Sequence, residues 1–138
     1  MGNLKFSDSQ DMQMGLEALD YKVEVTTDEN FDWLDATSET EPPLLLRVGE
    51  GLTVMVTVFA GYDLNALDSR DFLNCLNKVN EETLVTKWYF LETAEPGQFN
   101  LAIRSTLREY SRAGFSDFVT AHMREIYERG QDFEPFMK

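Results

Sequence analysis

The chain has 138 residues, with 12 basic against 25 acidic, and a formal net charge of −13 with its single His neutral. The length and an apolar content of 43% fit one domain that buries roughly two-thirds of its unfolded surface and needs no disulfide or metal to hold it. A single Cys excludes an internal disulfide framework and a zinc site of several thiolates. The negative balance argues against nucleic acid or an anionic membrane as the main partner.

Met1 to Gln13 is polar and acidic, without the apolar stretch of a signal peptide, and no run approaches the length of a membrane span. The expectation is a cytoplasmic protein with a reduced Cys75. Charge is concentrated early: residues 1–41 hold two basic and eleven acidic residues, a net of −9, and the remainder nets −4. This makes either an acidic surface that steers a basic partner or a solvated region that aids solubility. The whole chain, 1–138, reads as one domain, with 1–7 and 131–138 as candidate mobile ends.

Ser7 or Asp8 is placed to cap a first helix carrying Met12, Leu16 and Leu19, which Gly15 weakens. Tyr21, Val23 and Val25 alternate with polar residues as a half-buried strand, and Phe31, Trp33 and Leu34 suggest a second short one. Pro42 and Pro43 mark a loop. Leu44 to Val48 and Leu52 to Phe59 read as strands joined through Gly49–Glu50–Gly51 into a hairpin. In the second of these, Val54, Val56 and Val58 share one face, and Met55, Thr57 and Phe59 the other. Gly61 is expected to begin a loop.

Asp68 or Ser69 is placed to cap a helix burying Phe72, Leu73, Leu76 and Val79. Leu84 to Leu91 is strand-like, Glu95–Pro96–Gly97–Gln98 reads as a turn, and Phe99, Leu101, Ile103 and Leu107 share a strand parity. Gly114 and Ser116 open a last helix with the stripe Phe115, Phe118, Val119, His122, Met123, Ile126 and Tyr127, which Gly130 ends. The resulting order is helix, about three strands, helix, two strands, helix (α-β-β-β-α-β-β-α). Its hairpin connections imply an α+β domain, an antiparallel sheet with flanking helices.

Few residues suggest chemistry. Asp28, Asn30, Asp32 and Glu39 fall at the first, third, fifth and twelfth positions of a calcium-loop pattern, but Trp33 occupies the sixth, where the sharp turn needs Gly. An acidic loop is the simpler reading, and a small-ligand or calcium-binding domain using the loop Asp28 to Glu39 is kept as the alternative function. Cys75 and His122 are the only nucleophile and base of the usual kind, and both fall on or beside apolar helix faces. Neither Gly-rich phosphate loop occurs, and no G-x-S-x-G elbow. Arg104, Arg108 and Arg112 recur every fourth residue, able to hold an acidic peptide or the chain's own acidic first third, or to form a solvated face. Phe133 and Phe136, beyond the last helix, either dock back on the domain or meet a partner.

The segment Phe72-Leu73-Asn74-Cys75-Leu76-Asn77-Lys78-Val79-Asn80 with the strand that follows, the entry Leu19-Asp20-Tyr21-Lys22-Val23, and the strand Leu52 to Phe59 together resemble the YbjN-like family, of the type III secretion chaperone-like fold. The resemblance covers about residues 8–130. It implies a non-enzymatic protein-interaction module, commonly a homodimer, in the bacterial cytoplasm. No catalytic residues carry over, no cofactor is implied, and the protein partner's identity stays open. Secretion chaperones of this fold hold a partner segment in extended form on apolar surface patches, and an exposed sheet edge can also accept a strand.

Overall fold

The computed structural model describes residues 4–63 and 69–137. In chain order it has α1 (Ser7–Ala18), β1 (Lys22–Thr27), β2 (Asp32–Thr37), β3 (Leu44–Gly49), β4 (Leu52–Asp63), α2 (Ser69–Glu82), β5 (Lys87–Glu92), β6 (Gln98–Leu107), α3 (Arg112–Arg129) and a 3-10 segment, Gly130–Phe136. The fold is α+β, as expected, with a six-stranded antiparallel sheet ordered β1-β2-β3-β4-β6-β5. Four strands, one more than counted from the sequence, precede α2. The segment after Tyr21 closes into a complete β1–β2 hairpin, with Thr27 opposite Asp32. By compactness the chain divides into two units. One contains the chain up to Thr57 with Ser105–Thr120; the other contains Val58–Arg104 and the chain from Ala121 onward.

In the first unit, register fixes which side chains are covered. Leu34 lies opposite Leu46, and Ala36 opposite Leu44, on the buried side, and Leu46 continues to Met55 on β4. Cross-strand pairs point the same way, so Trp33, Arg47 and Val54 share the opposite face. Helix α1 lies against β1 and β2 and buries Ser9, Met12 and Leu16, one face at helical spacing. The β3–β4 hairpin turns at Glu50–Gly51, and Gly51 takes the positive φ (71°) that such a tight turn favours.

The ends of α1 differ from the sequence expectation. Neither Ser7 nor Asp8 caps it: the N-cap is Phe6, which offers no side-chain acceptor. The carboxylate of Asp32 instead anchors the entry to α1, accepting from the backbone N–H of Lys5 (2.9 Å) and Phe6 (3.0 Å) and from Ser9 Oγ (2.7 Å). At the other end, Tyr21 N–H donates to Leu16 O at 3.1 Å and Asp20 N–H to Glu17 O at 3.0 Å, the two bonds of a Schellman motif. Its left-handed position, usually Gly, is held by Asp20 at φ 68°.

The second unit has an aromatic core. Phe72 meets Phe90, Phe99, Phe133 and Phe136 edge-on, with centroids 4.6–5.9 Å apart. Trp88 stacks on Phe133 at 5.5 Å and 12°. Tyr62, Val79, Leu101, Ile103 and Ile126 complete the cluster. The 3-10 segment therefore closes the core: of the two outcomes the sequence offered for Phe133 and Phe136, they dock back on the domain. Residues 1–3 and 138, among the candidate mobile ends, lie outside the described residues, as does Asp68.

Strand β4 runs through Gly61 to Asp63 instead of yielding to a loop at Gly61. Gly61 adopts φ 95°, and burial changes parity around it: Thr57 and then Tyr62 are covered. On α2, Phe72 and Val79 are buried, but Leu73, expected inside, is exposed. Strand β5 begins at Lys87, three residues later than the apolar run suggested, and Leu84–Thr86 form a separate linker. The Glu95–Gln98 turn forms as read, with Gln98 N–H donating to Glu95 O at 3.1 Å and Gly97 at φ 78°, the type II geometry that Pro-Gly favours.

Candidate functional site

The first unit carries an open groove of ≈ 370 Å³ lined by Asp11, Met14, Gly15, Ala18 and Leu19 of α1 and its end, with Tyr110, Arg112, Phe115 and Ser116. Its origin is visible in α1. With Ser9, Met12 and Leu16 turned inward, residues 11, 14, 15, 18 and 19 form a second stripe at three- and four-residue spacing. That stripe is largely apolar and open to solvent: Met14 is 58% exposed and Leu19 45%. The Phe115 ring packs over Gly15 at ordinary contact distance: a Cβ there would sit 3.5 Å from Phe115 Cε2.

One end of the groove is polar and fixed. Arg112 Nε and Nη2 donate to Asp11 at 3.1–3.3 Å, and Tyr110 Oη donates to the same carboxylate. The Arg112 hydrogen bond, followed by that of Tyr110, holds the Asp11 carboxyl below its ordinary range. Burial, with the Asp11 hydrogen bond and charge, pushes the Tyr110 phenol up to about 12. The cluster thus contributes one phenol, one cation and one anion. It joins residues 101 positions apart, and for Arg112 it is a contact with the chain's own acidic first third, one of the readings the sequence left open.

The residues singled out by sequence fall elsewhere. Arg104 lies on β6 with its guanidinium 5.8 Å from the Tyr89 ring centroid; Arg108 lies in the bend after β6; Arg112 starts α3 and is committed to Asp11. They sit on a strand, a bend and a helix, so their regular spacing makes no single helical face. Phe133 and Phe136 are core residues, which corrects their place among partner-binding candidates: their rings have no surface to offer.

The calcium-loop pattern is also corrected. Asp28 sits in the β1–β2 turn, where its carboxylate accepts from the N–H of Asn30 and Phe31 (both 2.8 Å) and from Trp33 Nε1 (2.9 Å). The Trp33 bond, then those from Asn30 and Phe31, lower its pKa. Asp32 is buried beneath α1, and β2 then extends to Thr37, roughly 16 Å further on, with Glu39 exposed beyond it. A calcium site needs its oxygens wrapped around one point; a hairpin strand holds them apart. Among the described residues no group of three or more His, Cys, Asp or Glu is placed to hold a metal.

Cys75 is half-buried, with Sγ 3.4 Å from Asp132 O. Burial, aided by the Asp132 charge, raises its pKa, opposite to what an attacking thiolate needs. His122 is fully covered, and burial lowers its pKa to about 4 against a weaker opposing effect of Glu125. Glu125, missed by sequence reasoning, is a structural keystone of the second unit. Its carboxylate accepts from the N–H of Leu84 (2.7 Å), Val85 (3.3 Å) and Thr86 (2.9 Å) and from Thr86 Oγ1 (2.5 Å). Burial acts to raise its pKa, but these bonds outweigh burial and lower it. The clamp holds Leu84 outward, 93% exposed.

No helix among the described residues is long and apolar enough to cross a membrane. No family model and no curated protein matches the sequence. Among solved structures, the chain is similar to one described as "YbjN, a putative transcription regulator from E. coli", with a TM-score of 0.61 and 11% identity, covering 87% of this chain and 86% of that one. At that identity the likeness is one of fold, and the chain has a YbjN-like α+β fold.

Proposed function

We propose that this protein is a non-enzymatic interaction module, chaperone-like or regulatory, that binds another polypeptide through exposed apolar surface. The observation that carries the reading is the second, apolar stripe of α1, which stays open to solvent along the groove while the first stripe fills the core. Isolated exposed apolar residues are ordinary; a contiguous groove of them is a feature of binding surfaces. The sequestration of Cys75 and His122 supports contact over catalysis. A net charge of −13 favours protein over nucleic acid as the means of any regulatory role. The outer strands β1 and β5 supply edges for strand addition, and we assign the expected homodimer to such an edge.

The test is site-specific photo-cross-linking in the source cell. A photo-reactive side chain at position 14 is expected to give discrete polypeptide adducts, and one at Glu81, exposed on α2, is expected to give none. Equal adduct yields at both positions would sink the reading.

A further inference from the structure

Resting on that interaction reading, we propose that the α1–α3 groove receives an amphipathic helix of another protein whose flanking residues are basic. Three observations converge. The stripe from Asp11 to Leu19 runs about 12 Å along α1, two turns, which matches apolar anchors presented at i, i+3 or i+4, and i+7 by a docked helix. Charge at the two ends also favours a cation. At the Asp11 end Arg112 balances Asp11, and Asp8, close enough to act electrostatically on Tyr110, adds a further negative charge. At the far end α1 has no basic residue in its last turn, so the negative end of the helix dipole is uncompensated.

The third observation is Asp20. It follows Leu19 directly and occupies a left-handed position (φ 68°) at the helix C-terminus, where Gly is favoured conformationally and a carboxylate is disfavoured electrostatically. Two local rules are broken at one residue beside the groove, and such sites are where stability is given up for function. The adjoining depression adds Glu39, with Lys22 its one cation. A second copy of this chain, also carrying −13, is a poor electrostatic match for this surface; a basic helix is a good one.

The experiment titrates the full chain into fluorescently labelled synthetic peptides of about four helical turns, with Leu at i, i+3, i+4 and i+7 and either Lys or Glu at the flanking positions. The Lys peptide is expected to bind, more weakly as salt rises, and the Glu peptide at least about tenfold more weakly. Met14→Lys, or Ala18→Lys if that variant fails to fold, should weaken the Lys peptide about tenfold, and Asp20→Asn, which tolerates the same backbone, several-fold. Leu84→Ser should leave it unchanged.

Equal affinity for both peptides overturns the proposal, as does insensitivity to both Met14→Lys and Ala18→Lys. Binding lost with Leu84→Ser instead would move the surface and leave the interaction reading standing. Sedimentation in which Met14→Lys turns a dimer into a monomer would give the groove to a second copy and overturn the basic-helix assignment. Failure of both peptides to bind overturns it too, and the broader reading falls with it only if cross-linking at position 14 is also blank.

Discussion

Asp32 and Ser9, 23 residues apart, are joined by a 2.7 Å hydrogen bond that ties the first turn of a helix to a strand. The same carboxylate accepts the N–H groups of Lys5 and Phe6, the two residues that lead into α1. Replacing Asp32 by Ala strands these donors and should cost about 2–3 kcal/mol in urea unfolding; Asn, which keeps an acceptor, should cost roughly 1–2 kcal/mol. Burial acts to raise the Asp32 pKa, but the bonds from Lys5, Ser9 and Phe6 hold it below 3.8. Its stabilisation is therefore present above the unfolded value and lost as pH falls through the lower folded one.

The Trp88–Phe133 stack makes the 3-10 segment part of the fold. Phe133 is fully buried and touches both Trp88 and Phe72. Phe133→Ala should destabilise the protein by about 3–5 kcal/mol and should alter the near-ultraviolet circular dichroism of Trp88 even where the chain remains folded.

His122 gives the fold a pH dependence in a higher window. Its folded pKa of about 4 lies below the ordinary 6.5, so between these values the unfolded chain takes up a proton that the folded chain does not. Stability should fall as pH drops from 6.5 toward 4, by at most about 3 kcal/mol from this group. Glu125, whose pKa is lowered from 4.5, loses its contribution in a lower window. Urea midpoints measured against pH should flatten above pH 4.5 in His122→Gln, and an unchanged slope there would show that another group is responsible.

Asp20→Gly should stabilise the protein by about 1 kcal/mol, since Gly takes φ 68° without the clash that a Cβ brings. Thermal unfolding measures the gain. A loss would show that the Asp20 side chain contributes something its conformation does not reveal.

Calcium should leave the Trp33 emission unchanged. Trp33 Nε1 is bonded to Asp28, and the oxygens of Asp28, Asp32 and Glu39 are held apart by an extended strand. A saturable change at low calcium concentration would contradict the hairpin geometry.

The amino-acid sequence by itself determined the elements whose residues speak locally: the alternation in Leu52 to Phe59, the Pro-Gly turn at 96–97, and the stripe of Phe115, Phe118, Val119, His122 and Ile126. Periodicity and turn chemistry act within a few residues, so these are legible without neighbours. The tertiary structure alone decided what depends on distant partners. It drew Asp32 away from a calcium reading to the start of α1, took Phe133 and Phe136 into an aromatic core, gave Arg112 to Asp11, and gave Leu84–Thr86 to Glu125. It also decided which of the two apolar stripes on α1 stays open. A carboxylate has the same composition wherever it stands; only the donors that folding brings to it distinguish a ligand, an anchor and a clamp.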